Sequence, residues 1–153
     1  SAAVGGRAAA FDVVGVPGVT AALAAAALLG APLGHDHAAV SLSDLHTPWE
    51  VVLRRVQAAA EGDFVVTFYN PRSAGRDWQL AAALAVLARY RSPGTPVGVV
   101  RDATREGQQV RVTCLADLDV TEVDMRSVVV VGNRSTRVVA GRMVTPRGYR
   151  WQS

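Results

Sequence analysis

The feature that most restricts the fold is a run of four consecutive valines at positions 128–131, preceded by Ser127 and closed by Gly132 and Asn133. β-Branched side chains favour extended backbone. Successive side chains on a strand point to opposite faces, so an unbroken apolar run has to be covered on both. The run therefore predicts a central, buried strand in an α/β protein.

The remaining chain supplies strands and helices in alternation. Residues 11–16 read as a short apolar strand ended by Pro17 and Gly18. Residues 20–29 are rich in alanine and leucine and predict a helix stopped by Gly30 and Pro32. Residues 38–42 form a second strand candidate. Thr47, Pro48 and Glu50 predict the next helix start, with Thr47 as cap and Pro48 in the first position. On that helix Trp49, Val52, Leu53, Val56 and Ala60 share one face, while Glu50 and Arg54 are spaced to pair on the other.

Residues 63–69 predict a strand ended by Asn70 and Pro71, and residues 76–91 a helix with Leu80, Leu84 and Leu87 as its stripe. Residues 96–101 and 108–115 predict two strands joined by a polar turn around Glu106 and Gly107. Residues 137–144 read as one more strand before the tail. This order predicts an α/β architecture whose sheet is mixed and mostly parallel, the late hairpin adding an antiparallel edge. At 153 residues the chain amounts to about one domain. Residues 11–153 form it, and residues 1–10 read as a severed helix or loose tail.

Composition narrows the function classes. The single cysteine, Cys114, lies in an alternating apolar run, where packing is the ordinary role. It permits no internal disulfide, which suits a cytoplasmic protein. The formal charge is +3 and every basic residue is arginine, a residue whose planar fork matches carboxylates and phosphates. The arginines are dispersed and only three each of Phe, Trp and Tyr are present, so nothing resembles a nucleic-acid stripe. No apolar stretch reaches the ~20 residues of a membrane span. His35, Asp36 and His37 are too close in sequence to converge on one metal without further ligands. Walker, dinucleotide-binding and hydrolase-elbow motifs are absent from the sequence.

Ligands of open α/β sheets bind beyond the carboxyl ends of the strands. Four such loops carry Gly, Asn, Ser, Thr or Arg: residues 17–22, 70–76, 101–107 and 132–137. They predict one composite site, although turn residues alone also satisfy the pattern. After the second strand, Asp44 and His46 are titratable groups near a helix start, open either to acid–base work or to plain capping and solvation.

In order, the chain contains PGVTAALAAAALLGAPLGHD, SLSDLHTPW, DFVVTFYNPRS, TPVGVVRDATREGQ, VVVVGNRSTR and VTPRGY. Together these resemble the C-terminal domain of the class III S-adenosylmethionine-dependent tetrapyrrole methylases, over residues 11–149. PGVTA is common to the broad group. SLSD, TPW, YNPRS and TPRGY resemble the precorrin-3B C(17)-methyltransferases within it.

The resemblance implies a three-layer α/β sandwich, with S-adenosyl-L-methionine held in a cleft shared with an N-terminal domain. It implies methyl transfer to carbon 17 of precorrin-3B with ring contraction to precorrin-4, leaving S-adenosyl-L-homocysteine. A cobalt-bearing substrate serves the anaerobic counterpart. By motif, Thr20, Ala21, Tyr69, Asn70, Ala103, Val131, Gly132 and Asn133 would line the cofactor. Ser43 and Asp44 would face the tetrapyrrole, with Asp44 as a candidate for proton transfer. Arg72, Arg76, Arg105 and Arg134 would clamp substrate carboxylates. A homodimer is the family expectation.

Two departures from the pattern stand out. The glycine-rich loops of the family's N-terminal domain are not in this sequence, so half of the cleft has to come from elsewhere. His37 stands where the resemblance leads one to expect an aromatic or aliphatic residue, and His46 where it leads one to expect an aliphatic one. A sister methylase acting at another ring position, or a stand-alone binding module without catalysis, would share most of these features.

Overall fold

The structure is a computed structural model, and it describes residues 10–148. The expectations for residues 1–9, and for Tyr149 in the last motif, lie outside the described residues.

In chain order the elements are α1 (Ala21–Leu29), β1 (Gly30–Ala31), β2 (His37–Ser41), α2 (Trp49–Glu61), β3 (Val65–Tyr69), α3 (Gln79–Ala88), β4 (Pro96–Arg101) and β5 (Gln109–Cys114). A 3-10 turn at Val120–Glu122 leads to β6 (Ser127–Val131), β7 (Arg137–Val139) and β8 (Arg142–Val144). Five strands form the main sheet in the order β2-β3-β6-β4-β5, and β1-β8-β7 form a small second one.

The valine run sits where its composition demands. β6 occupies the middle of the main sheet and all five of its residues are buried. Its side chains alternate between two cores. Val129 and Val131 join Phe68, Leu80, Leu87, Val52 and Val56 beneath α2 and α3. Val128 and Val130 join Ala25, Leu29 and Met143 beneath α1 and the small sheet. Three layers follow, and each fully buried valine side chain contributes roughly 1.5–3 kcal/mol of transfer free energy. At Gly98 in β4 the missing side chain lets α1 approach: a Cβ there would lie 2.5 Å from the Leu29 Cδ atoms.

Several expectations are corrected. β2, β3 and β4 share one direction, as a mostly parallel sheet requires, but within the main sheet only the β2–β3 contact is a parallel pairing, the other parallel pair being β1–β8 of the small sheet. β6 inserts between β3 and β4 running the other way, and β5 is antiparallel to β4. The run at 11–16 is not a strand: it pairs with no strand of the described residues, and Val13, Val14 and Val16 are more than 70% exposed. Strand composition does not make a strand unless another strand takes up its main-chain groups, and this run lies against no other strand of the described residues.

The segment 137–144 is a hairpin and not one strand, because Ala140 and Gly141 both adopt positive φ, the two-residue turn that suits strand twist. α2 begins at Trp49 with Pro48 as its cap, so Thr47 makes no capping bond. Glu50 and Arg54 form no ion pair. α3 begins at Gln79, since Ser73 and Arg76 exchange main-chain hydrogen bonds and hold the preceding residues in a turn.

Candidate functional site

The carboxyl ends of β2, β3 and β4 lie along one edge of the main sheet, together with the start of β6. The amino end of α1 meets the same edge. Thr20 caps this helix through its side-chain oxygen, which accepts the Leu23 N–H at 3.3 Å. Ala22 donates its main-chain N–H to the Tyr69 hydroxyl at 2.8 Å, so the end of β3 is fastened to the first turn of α1. Between them opens a cleft of about 630 Å³.

Thr20, Ala21, Tyr69, Asn70 and Ala103 all line this cleft, which brings together residues spread over three of the predicted loops. Arg105 lines it too. Three residues of its wall hold positive φ without being glycine: Asn70 at 47°, Asp102 at 51° and Thr104 at 63°. Asn and Asp tolerate this conformation better than most, but for a β-branched threonine it is costly. Strain of this kind persists only where the surroundings enforce it. Here the Thr104 N–H donates to Gln108 Oε1 at 2.8 Å, and the Arg105 N–H to the Asp102 carbonyl at 2.9 Å.

The fourth predicted loop does not join them. Because β6 runs opposite to β3 and β4, its carboxyl end is at the far edge, with Val131 opposite Val66 and Val97. Val131, Gly132, Asn133 and Arg134 therefore stand away from the cleft. The Asn133 side-chain oxygen is buried in its own turn, accepting from the N–H and hydroxyl of both Ser135 and Thr136. Arg134 donates its main-chain N–H to Asp63 and its Nε to the Tyr90 carbonyl.

Nearby, the wholly buried Arg91 side chain donates to the carbonyls of Ala60, Phe64 and Gly132 and pairs with Asp63 at 3.2 Å. Burial holds its pKa below the ordinary guanidinium value; Asp63 opposes the effect and Arg134 adds to it. This far edge is a structural joint.

Ser43 and Asp44 follow the carboxyl end of β2, and neither lines the cleft. Gln79 Nε2 donates to Asp44 Oδ2 at 3.1 Å, which orients that carboxylate. Arg76 is engaged: Nη1 donates to the carbonyls of Leu42 and Asn70, and Nη2 contacts Met125 Sδ at 3.2 Å. It braces the ends of β2 and β3 and has less capacity for a ligand than its spacing suggests. Arg72 does not line the cleft and its Nε is buried without a partner.

The sequence reading gave no role to Asp102, although its loop was expected at the site, and missed Met125 and Arg126; all three line the cleft. Arg126 Nε donates to Asp102 Oδ1 at 2.7 Å across 24 residues of chain. Nothing local announces such a pair. Beside it, Arg101 pairs with Asp124 at 2.8 Å. Burial acts to raise the Asp124 pKa, but hydrogen bonds from the Arg126 N–H and the Ser127 hydroxyl, together with Arg101, outweigh it and leave the carboxylate below its ordinary range.

A second hollow of about 240 Å³ lies under the 3-10 turn, where Arg101 and Arg111 are already matched with Asp124 and Glu122. Among the described residues no helix is long and apolar enough to cross a membrane, and no three His, Cys, Asp or Glu residues cluster as a metal site.

Comparison with known proteins places this geometry in context. The family model described as Tetrapyrrole (Corrin/Porphyrin) Methylases matches residues 2–119. A curated protein of Salmonella typhimurium, named probable cobalt-factor III C(17)-methyltransferase, is 55% identical over 134 residues, covering 88% of this chain and 56% of that protein. The precorrin-3B C(17)-methyltransferase of Sinorhizobium sp is 43% identical over 143 residues, covering 90% of this chain and 56% of that protein. Among solved structures, that of the methyltransferase CobJ matches with a TM-score of 0.85 at 42% identity, over 94% of this chain and 60% of that one. The chain thus spans about half the length of these curated relatives.

Proposed function

The chain belongs to the tetrapyrrole (corrin/porphyrin) methylase family, and from that premise we propose that it is the C-terminal part of an S-adenosylmethionine-dependent enzyme methylating carbon 17 of precorrin-3B, or of its cobalt-bearing counterpart, with contraction of the macrocycle. One observation carries the reading: Thr20, Ala21, Tyr69, Asn70 and Ala103, drawn from three separate loops, meet around a single cleft.

The cleft suits the cofactor on two counts. Its volume of about 630 Å³ falls in the range of small-molecule sites. Its wall mixes apolar Val19, Ala24 and Val100 with hydroxyl, amide and main-chain groups, as a nucleoside joined to an amino acid requires. Thr20, Ala21, Tyr69, Asn70 and Ala103 would hold it. S-adenosylmethionine, when bound, supplies an electrophilic methyl group on a sulfonium. The chain's own residues contribute position and exclusion of water, worth far more in such a transfer than any covalent participation.

Tyr69 fixes the approach of α1, and the strained 102–104 segment fixes the opposite wall. Asp44, held by Gln79, is the candidate to move a proton during ring contraction. Ser43 is its sequence neighbour, and Arg105, which lines the cleft, is the arginine of the four best placed for the substrate's carboxylates, since Arg72 lies outside the cleft wall and Arg76 is engaged by the Leu42 and Asn70 carbonyls. Val131, Gly132, Asn133 and Arg134 are left out of the site because they stand at the other edge. In this reading an N-terminal methylase domain completes the cleft, and the active form is a cytoplasmic homodimer.

The test is calorimetric titration of S-adenosylhomocysteine into this chain and into the full-length protein. Product analysis of the full-length protein with precorrin-3B and S-adenosylmethionine accompanies it. Binding by the full-length protein, with a methylated and contracted product, supports the proposal. Absence of binding by both would sink it and favour a non-catalytic module. A methylated product at another ring position would assign the chain to a sister methylase.

A further inference from the structure

Arg126 is held in the cleft wall with unusual completeness for a residue outside any strand or helix. Its main-chain N–H donates to Asp124 Oδ1 at 2.9 Å, and its carbonyl accepts the Asp102 N–H at 3.1 Å. Its Nε donates to Asp102 Oδ1 at 2.7 Å. The two ends of this ion pair differ sharply in environment: the Asp102 side chain is 3% exposed and that of Arg126 is 59% exposed. The carboxylate is thus the buried foundation and the guanidinium faces outward.

An ordinary surface ion pair contributes little and needs no buried partner. Burying a carboxylate, by contrast, costs several kcal/mol unless it is paired. Here the buried acid sits at positive φ in a strained segment whose main chain is tied to Arg126 itself. Among the described residues only one of the five guanidinium donors has a partner. The two terminal nitrogens make no hydrogen bond to any described residue, and their N–H groups can donate to the two oxygens of a carboxylate in two-point fashion.

Building on the cleft assignment above, we propose that Arg126 is a carboxylate anchor of the cleft, aimed by Asp102. Its terminal nitrogens take a carboxylate of the bound ligand, either at the amino-acid end of the cofactor or on the periphery of the macrocycle. Arg126 makes the ligand contact, and Asp102 is a positioning residue.

The experiment uses the full-length protein and three probes. S-Adenosylhomocysteine carries the amino-acid carboxylate, 5′-methylthioadenosine is the matching thioether without it, and uroporphyrin is a tetrapyrrole bearing eight carboxylates. Substituting Arg126 alone leaves Asp102 buried and unpaired, so the test variant is Asp102→Asn with Arg126→Met, beside the conservative Arg126→Lys. Loss of a charge-assisted two-point contact weakens binding about 10- to 100-fold.

Such a loss for S-adenosylhomocysteine, with 5′-methylthioadenosine changed less than about twofold, identifies the cofactor as the source of the carboxylate. The same loss confined to uroporphyrin identifies the macrocycle. Arg126→Lys should fall between, since lysine keeps the charge and loses the fork. The proposal is overturned if all three affinities stay within about twofold of wild type, or if S-adenosylhomocysteine and 5′-methylthioadenosine weaken equally. If the wild-type protein binds none of the probes, the cleft assignment itself falls, and this anchor with it.

Discussion

The phenolic oxygen of Tyr69, at the end of β3, accepts the main-chain N–H of Ala22 in the first turn of α1 at 2.8 Å. A helix start leaves its first N–H groups without intrahelical partners, and here one of them is satisfied by a side chain 47 residues away. The bond sets the distance between the two walls of the cleft. Tyr69→Phe should lower the unfolding free energy by about 1 kcal/mol and weaken S-adenosylhomocysteine binding several-fold. Urea denaturation and calorimetry of the same variant check both effects. Unchanged stability would show that the bond is not maintained in solution.

Gly98 allows α1 and the small sheet to rest on β4. A Cβ at this position would meet both Cδ atoms of Leu29 at 2.5 Å and Met143 Sδ at 2.9 Å. Those atoms are the ends of flexible side chains, so Gly98→Ala should be partly absorbed. Gly98→Val overfills the layer and should destabilise by about 1–3 kcal/mol. Equilibrium unfolding of the two variants side by side should rank valine well below alanine.

Asn133 serves the β6–β7 turn. Its side-chain oxygen accepts four hydrogen bonds from Ser135 and Thr136. Asn133→Ala should destabilise by about 1–3 kcal/mol while leaving S-adenosylhomocysteine affinity within about twofold in the folded protein. A large loss of affinity at unchanged stability would return this residue to the ligand site.

Asp124 links the acid limb of stability to the cleft. Its folded-state pKa lies below the ordinary carboxylate value, because hydrogen bonds from the Arg126 N–H and Ser127 and the Arg101 charge outweigh the burial that acts to raise it. A depressed folded pKa contributes stability above the unfolded value of about 3.9, and that contribution disappears as pH falls through the folded value. The stability gap between wild type and Asp124→Asn should therefore be widest near neutral pH and should narrow below about pH 4. Denaturant midpoints at pH 7 and pH 3 measure it. A gap of equal size at both would contradict the assignment.

Much of this protein was legible along the chain. The alternation of Val128, Val129, Val130 and Val131 between two cores follows from their being apolar and β-branched without interruption. The helix at 21–29 follows from alanine propensity, with Thr20 as its cap where the residue pattern predicts its first residue, and the halt of β3 at Asn70 follows from turn chemistry. Each of these features is decided within a few residues of chain, where propensity and periodicity act.

What only the tertiary structure decided is direction and pairing. No local signal says that β6 enters the sheet backwards, yet that reversal carries Gly132, Asn133 and Arg134 to the far edge. The run at 11–16 has strand composition and no strand to pair with. Asp102 and Arg126 meet because the register of β4 against β6 sets Arg101 opposite Ser127. Hydrogen-bonded registry joins residues far apart in the chain, and its energy depends on the whole sheet, so a strand's own residues fix what it buries and its neighbours fix where its ends arrive.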